Sequence, residues 1–224
     1  MMRMVRASFL CAASVVVLSL NGELRAQSPA PHGEIVAYMA DPQQSPAADH
    51  HVVSFHGELF RPSTGRPGSW PGIVLIHSYL GLNDSVRSEA AYLAKSGFQV
   101  LAVNLFEGQS LPGSIEEGES KWDALDPRMA LVKCQGAMSF LQNWSSDPEQ
   151  IAAVGTGGGG TLAIKLLVGE TDSHLKAVVD EGGSLPAGVN LTSEQRRRIL
   201  VQTAMVPNQG EAVGFLRRRL ALSR

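Results

Sequence analysis

Cysteine is nearly absent. Cys11 and Cys134 are the only two among 224 residues, so the chain has no disulfide framework, and no Cys/His group has zinc-site spacing. Charge of one sign is also scarce. Nineteen Lys and Arg stand against 21 Asp and Glu, a formal net of −2, which argues against a general nucleic-acid binder. Long apolar runs are missing too. The longest near the N-terminus, Ala7 to Leu20, would reach about 21 Å as a helix, short of the ~30 Å hydrocarbon core. There is no internal repeat. The 44% hydrophobic content excludes a wholly disordered chain, and the length suits one compact domain or two small ones.

The N-terminal run follows Arg3 and Arg6 and is broken by Asn21, Gly22 and Glu23, the pattern of a cleavable secretory signal with cleavage after Ala26. Residues 1–26 are therefore expected to be removed, and the protein is expected to be periplasmic or secreted. Cleavage would take Cys11 with it and leave Cys134 as the only thiol. Residues 27–51, with Pro29, Pro31, Pro42 and Pro46, read as a flexible leader to a domain spanning 52–224.

That domain alternates strand and helix. Val52–Phe55 and Glu58–Phe60 read as a hairpin around His56-Gly57. Gly72–His77 is a continuous apolar run, as expected of a strand buried on both faces. Ser85–Lys95 reads as a helix stopped by Gly97, and Gln99–Leu105 as the next strand. Gly108–Asp126 reads as a long polar loop that could overhang a cleft. Asp126-Pro127 opens a helix to about Trp144. Ile151–Val154, Leu175–Val179 and part of Arg196–Ala204 are further strands, with helices at Thr161–Val168 and Glu211–Leu222. Strands separated by helices imply parallel βαβ units, hence an α/β sheet with helices on both faces.

Chemistry in such sheets sits at the carboxyl ends of the strands, and Gly155-Thr-Gly-Gly-Gly-Gly160 follows one of them. A P-loop is excluded because Thr161 stands where its Lys must be. A dinucleotide fingerprint fits Gly155, Gly157 and Gly160, with Asp180 as the downstream acid, and implies a Rossmann-type oxidoreductase. Over 100 residues of α/β sequence precede this motif, however, whereas such a unit usually opens its domain. The third reading is a nucleophile elbow, G-x-Nuc-x-G, in which flanking glycines permit a tight strand-to-helix turn.

From about Val52 to Val206 the chain resembles the dienelactone hydrolase family. Pro71-Gly-Ile-Val-Leu-Ile-His-Ser-Tyr-Leu-Gly-Leu-Asn-Asp84 is similar to that family's first core strand and oxyanion-hole loop. Ala94–Gln109 is similar to its next strand and loop, and Ile151–Ala163 to its elbow. The resemblance implies a three-layer α/β-hydrolase fold with a mostly parallel sheet, and ester or lactone hydrolysis without cofactor or metal. It also implies a cysteine nucleophile, a later aspartate and histidine, and an assisting glutamate on the first loop. Here the nucleophile position is Gly157 and the glutamate position is Ser78. The acid position falls near Met205–Glu211, where Asn208 and Glu211 are the polar candidates, and no histidine follows His174. The chain ends at Arg224, where the family's last strand and helix are still expected, and their absence would favour a homodimer through the exposed edge.

The expectation is a catalytically impaired member, a pseudoenzyme. It would bind a small ester, lactone or carboxylate through the amides of Tyr79 and Gly158, with His77 and Ser78 beside them. A Ser78/His77 dyad is awkward, because adjacent strand residues point to opposite faces. Thr156 is expected to face away from the cleft, Cys134 to be core, and Asp180-Glu181 to end a strand facing the cleft. His50, His51 and His56 read as a solvated hairpin, and Arg196–Arg198 and Arg217–Arg219 as solvated helix faces.

Overall fold

The computed structural model describes residues 31–40, 52–66, 68–145, 147–169, 175–182, 185–203 and 208–220. The secretory-signal reading of 1–26, His50 and His51, His174 and Met205 lie outside them. Seven strands form one sheet in the order β1-β2-β4-β3-β5-β6-β7. Five consecutive strands are parallel, ending at the β7 edge: β3 (Gly72–Ile76) lies between β4 (Gln99–Val103) and β5 (Ile151–Thr156), followed by β6 (Leu175–Glu181) and β7 (Ile199–Gln202). The hairpin of β1 (Glu34–Ala40) and β2 (Val53–Phe60) adds antiparallel to β4.

Two expectations change here. Residues 53–60 form one strand rather than a hairpin, and their partner is β1, from within the stretch expected to be a flexible leader. The β1 sequence alternates, with Tyr38 and Ala40 buried and Ile35 and Met39 exposed, so one face reaches the core despite the surrounding prolines.

Period-two alternation splits the sheet between two cores. Val74, Ile76, Leu101, Val103, Ile151 and Ala153 face one side, where α3 (Pro127–Phe140) and α4 (Gly158–Gly169) pack. Ile73, Leu75, Val100, Ala102, Ala152 and Val154 face the other, against α1 (Asp84–Lys95) and α6 (Gln209–Arg219). The sheet is thus sandwiched between helices, the three-layer arrangement of the α/β-hydrolase fold.

Local signals set the helix ends. Asn83 caps α1, its Oδ1 accepting from the Val86 N–H at 3.1 Å, and Asp126 caps α3 with Pro127 at the first position. The segment 108–126, expected to be loop, contains α2 (Ile115–Asp123), capped by Ser114 Oγ accepting from Glu117 N–H at 3.1 Å. Ser114-x-x-Glu117 is the sequence pattern of a capping box, and that signal marks the helix.

Cys134 is fully buried among α3 core residues, as its helical neighbours imply, and burial pushes its thiol up to about 12. The arginine runs lie on helix surfaces: Arg198, at the end of α5 (Ser193–Arg197), pairs with Glu194, Arg217 donates to Ser96 O at 3.0 Å, and Arg219 reaches Arg197 O.

Candidate active site

The glycine run forms a turn so tight that all but one of its members exclude a side chain. A β-carbon on Gly155 would lie 2.3 Å from the Gly159 carbonyl carbon, and one on Gly159 would lie 2.3 Å from Ile76 O. One on Gly160 would strike the Asp180 carboxylate at 1.8 Å, and one on Gly158 the Trp122 ring at 2.3 Å. Gly157 differs. Its nearest neighbour would be Ser78 Cβ at 3.5 Å, an ordinary contact, and its φ of +51° is the left-handed apex of the turn. The elbow thus has one seat open to a side chain, and that seat holds glycine. The Gly157 N–H donates to Glu181 O at 2.8 Å, tying the apex to β6.

The dinucleotide reading fails on the same residues. The glycine turn follows β5, with β3 and β6 on either side, and antiparallel strands extend the sheet. Asp180, which that reading assigns to a ribose, is fully buried with its carboxylate against the first turn of α4 at Gly160.

His77 is also corrected. It is completely buried, its Nδ1 lies 2.7 Å from Ser78 O, and its Nε2 accepts the Leu105 N–H at 3.0 Å. The ring therefore donates through Nδ1 to the Ser78 carbonyl. Both nitrogens are occupied, so His77 offers no base to Ser78 and no contact to a ligand. Burial holds its pKa down to about 4; the Ser78 backbone bond opposes that and the Lys133 charge adds to it. It braces the loop after β3 against the loop after β4, with Phe106 and Trp122 around the ring at 5.1 and 6.5 Å between centroids.

Ser78 stands at the edge of a cleft of about 610 Å³ over the carboxyl ends of β3, β5 and β6, flanked by α1 and the start of α6. Thr156, expected to face away, lines this cleft, as do Asn83 and Asn208. Asp180 and Glu181 do not act as a pair there. Successive strand residues point to opposite faces, so Asp180 turns to α4 and only Glu181 enters the cleft. Its partner is Glu89 on α1, a residue with no sequence signal beyond lying beside the apolar Ala90 and Leu93. The two carboxyls hydrogen-bond each other. Burial, then the neighbouring Glu181 charge, raises Glu89 well above the carboxylate range. Burial likewise raises Glu181, whose bond to Glu89 opposes the rise.

Of the two polar candidates for the family's acid, Asn208 caps α6 through its Oδ1, 3.1 Å from Glu211 N, and Glu211 Oε2 lies 3.3 Å from Gln202 Nε2. Among the described residues neither is paired with a histidine. Gly158 follows the apex and Tyr79 follows Ser78, whose Cβ faces it, and α2 lies on both: a β-carbon on Gly118 would meet Tyr79 O at 2.6 Å, and Trp122 covers Gly158. His56 pairs with Glu107 on a separate, partly exposed patch.

These placements yield a labelling test. In a chain lacking residues 1–26, Gly157→Cys places a thiol at the open seat by a helix N-terminus, where alkylation is expected within minutes, while Cys134 stays unmodified in the native state. Mass spectrometry after cleavage at Glu149, which lies between positions 134 and 157, distinguishes the two.

The model of the dienelactone hydrolase family matches residues 55–208, more than half of the chain. No curated protein sequence matches it. Among solved structures, m3DLH is 25% identical with a TM-score of 0.55, the match covering 84% of this chain and 78% of that one. A dienelactone hydrolase-like promiscuous phosphotriesterase from metagenomic libraries has the same fold at 23% identity and a TM-score of 0.51, covering 85% and 79%. With strand order, elbow and family match in agreement, the chain belongs to the dienelactone hydrolase family.

Proposed function

We propose that this protein binds a small ester, lactone or carboxylate in the family cleft and does not turn it over. The observation that carries this reading is the empty seat at Gly157, which has room for a side chain and none to attack with. Covalent catalysis needs a nucleophile with a base in hydrogen-bond reach, and the histidine adjoining Ser78 is committed to backbone partners on both nitrogens. The binding half of the machinery depends on backbone alone. Gly158 is the first residue of α4, so its amide has no acceptor within the helix, and the helix dipole favours partial negative charge there. The Ser78 and Gly157 β-carbon positions lie 3.5 Å apart, which brings the Tyr79 amide into the same neighbourhood. The basic and apolar N-terminal segment supports a role after export, in the periplasm or outside the cell.

The test is hydrolysis of p-nitrophenyl acetate by the purified chain without residues 1–26. The expected rate is indistinguishable from buffer, with the Gly158 amide resonance nevertheless shifting on titration with γ-butyrolactone. Turnover well above buffer that disappears in Ser78→Ala would overturn the reading, as would an unmoved Gly158 resonance.

A further inference from the structure

We infer that the end of the sheet opposite the cleft is a docking surface for an anionic phospholipid bilayer, formed where the two arginine triplets meet. The inference does not depend on the ligand of the proposed function. Residues 193–220 hold six arginines and two acids, Glu194 and Glu211, in a chain whose formal net is −2, so a strongly positive segment stands against an acidic remainder. The triplets are far apart in sequence, and the fold brings them together. α6 starts beside the cleft at Gln209 and runs back to the amino ends of the strands, where Arg217 donates to the carbonyl of Ser96, the C-cap of α1, at 3.0 Å. Arg198 leads into β7 at that same end, its carbonyl accepting the Val178 N–H at 2.8 Å. Arg219 joins the triplets by donating to Arg197 O. Glu211 lies at the other end of α6, bound to Gln202.

What holds these side chains leaves their charge available. Arg196, Arg197, Arg217, Arg218 and Arg219 are exposed, and among the described residues none pairs with a carboxylate. Arg197 folds back onto Ser193 O at 3.2 Å. Arg217 and Arg219 donate to carbonyls at the C-terminal ends of α1 and α5, partial charges that orient a guanidinium without neutralising it. Two acids at this end are already taken, Glu194 by Arg198 and Glu149 by Lys176 at 3.9 Å. Lys95, beside Ser96, is exposed as well. Guanidinium groups bind phosphate oxygens through paired N–H bonds, which suits phospholipid headgroups. Nucleic acid offers the same phosphates, but single strands are held by stacking on aromatic rings. The one aromatic residue of α5, β7 and α6 is Phe215, which is buried with Arg219 over its ring at 5.5 Å. Export, which the N-terminal segment supports, favours a membrane partner over nucleic acid in the same way. Docked by this end, the protein keeps its cleft open to water.

The experiment is co-sedimentation with vesicles of phosphatidylcholine, alone or mixed with phosphatidylglycerol. It uses the chain lacking residues 1–26, because that apolar run would itself enter a bilayer; the buried core of the described residues lies within 38–220 and is kept whole. The protein is expected on the mixed vesicles and not on phosphatidylcholine, and added salt should release it. Each arginine is expected to contribute about a fivefold factor at an anionic surface. Arg196→Gln/Arg218→Gln removes two guanidiniums that make no hydrogen bond among the described residues, and should weaken binding about twenty- to thirtyfold. Arg128→Gln/Lys165→Gln makes the same charge change on α3 and α4 and should alter binding by less than about twofold. Equal weakening by the two double variants, equal binding to phosphatidylcholine alone, or no binding to either vesicle overturns the inference. Binding of the unaltered protein that persists at high salt overturns it too. Release by millimolar inorganic phosphate at matched ionic strength would mean a single-anion site, and tighter retention on an oligonucleotide than on vesicles would mean a nucleic-acid surface; either result overturns it. None of these outcomes touches the lactone test of the proposed function.

Discussion

Gly159→Ala is expected to unfold the domain near room temperature or to lower its melting temperature by 10 °C or more, whereas Gly157→Ala, two residues away, should cost only a few degrees. At Gly159 the added β-carbon would sit 2.3 Å from Ile76 O and 2.7 Å from His77 O. Both are backbone atoms at the end of a central strand, so no rotamer change relieves the clash. Overpacking of ordinary cores costs about 1–3 kcal/mol, and a backbone overlap this deep lies at or beyond the upper end. In a chain of this size each kcal/mol moves the melting temperature by about 2–4 °C. At Gly157 the space is ordinary and the penalty is the left-handed backbone, roughly 1–2 kcal/mol. Thermal unfolding of the two variants side by side checks the contrast. Equal losses would mean that the seat at 157 is closed and that the elbow description is wrong.

That contrast also separates what the sequence could reveal about the elbow from what it could not. Four consecutive glycines after an apolar strand identify a turn with no room for side chains. They say nothing of which member has room, because the answer lies in atoms distant in sequence: Ile76, Ser78, Trp122 and Asp180. The central strands were legible because burial on both faces leaves a continuous apolar run, as in Gly72–Ile76. β1 was not, since its short alternating stretch sits among prolines and gains its stability from pairing with β2. His77 differs from its expected place beside the ligand for a related reason. A histidine at the end of a core strand points to the cleft, and only the positions of Leu105 N and Ser78 O show that both nitrogens are taken. Glu89 was invisible in the sequence, because nothing in a helix's own pattern indicates that a buried glutamate faces another across a cleft.

The buried acid pair should also govern how stability varies with pH. Both carboxyls sit above their ordinary values in the folded state, so each contributes stability that is fully present below the unfolded pKa of about 4.5 and is lost as pH rises through the folded value. His77 works the other way. Its folded pKa of about 4 lies below the ordinary imidazole value of 6.5, so its contribution is complete above 6.5 and is lost as pH falls toward 4, about 3 kcal/mol in all. The melting temperature is therefore expected to decline on the alkaline side as the pair ionises; on the acid side His77 withdraws its contribution between pH 6.5 and 4, and below about 4.5 the pair no longer changes to offset that loss. Glu89→Gln keeps a hydrogen-bonding partner for Glu181 and removes one of the two charges. It should flatten the alkaline limb, raising the melting temperature there by several degrees, on the order of 1–3 kcal/mol, while leaving the acid limb in place. Differential scanning calorimetry from pH 4 to 9 reads both limbs in one series. An alkaline limb unchanged in Glu89→Gln would show that the two carboxyls do not share a proton.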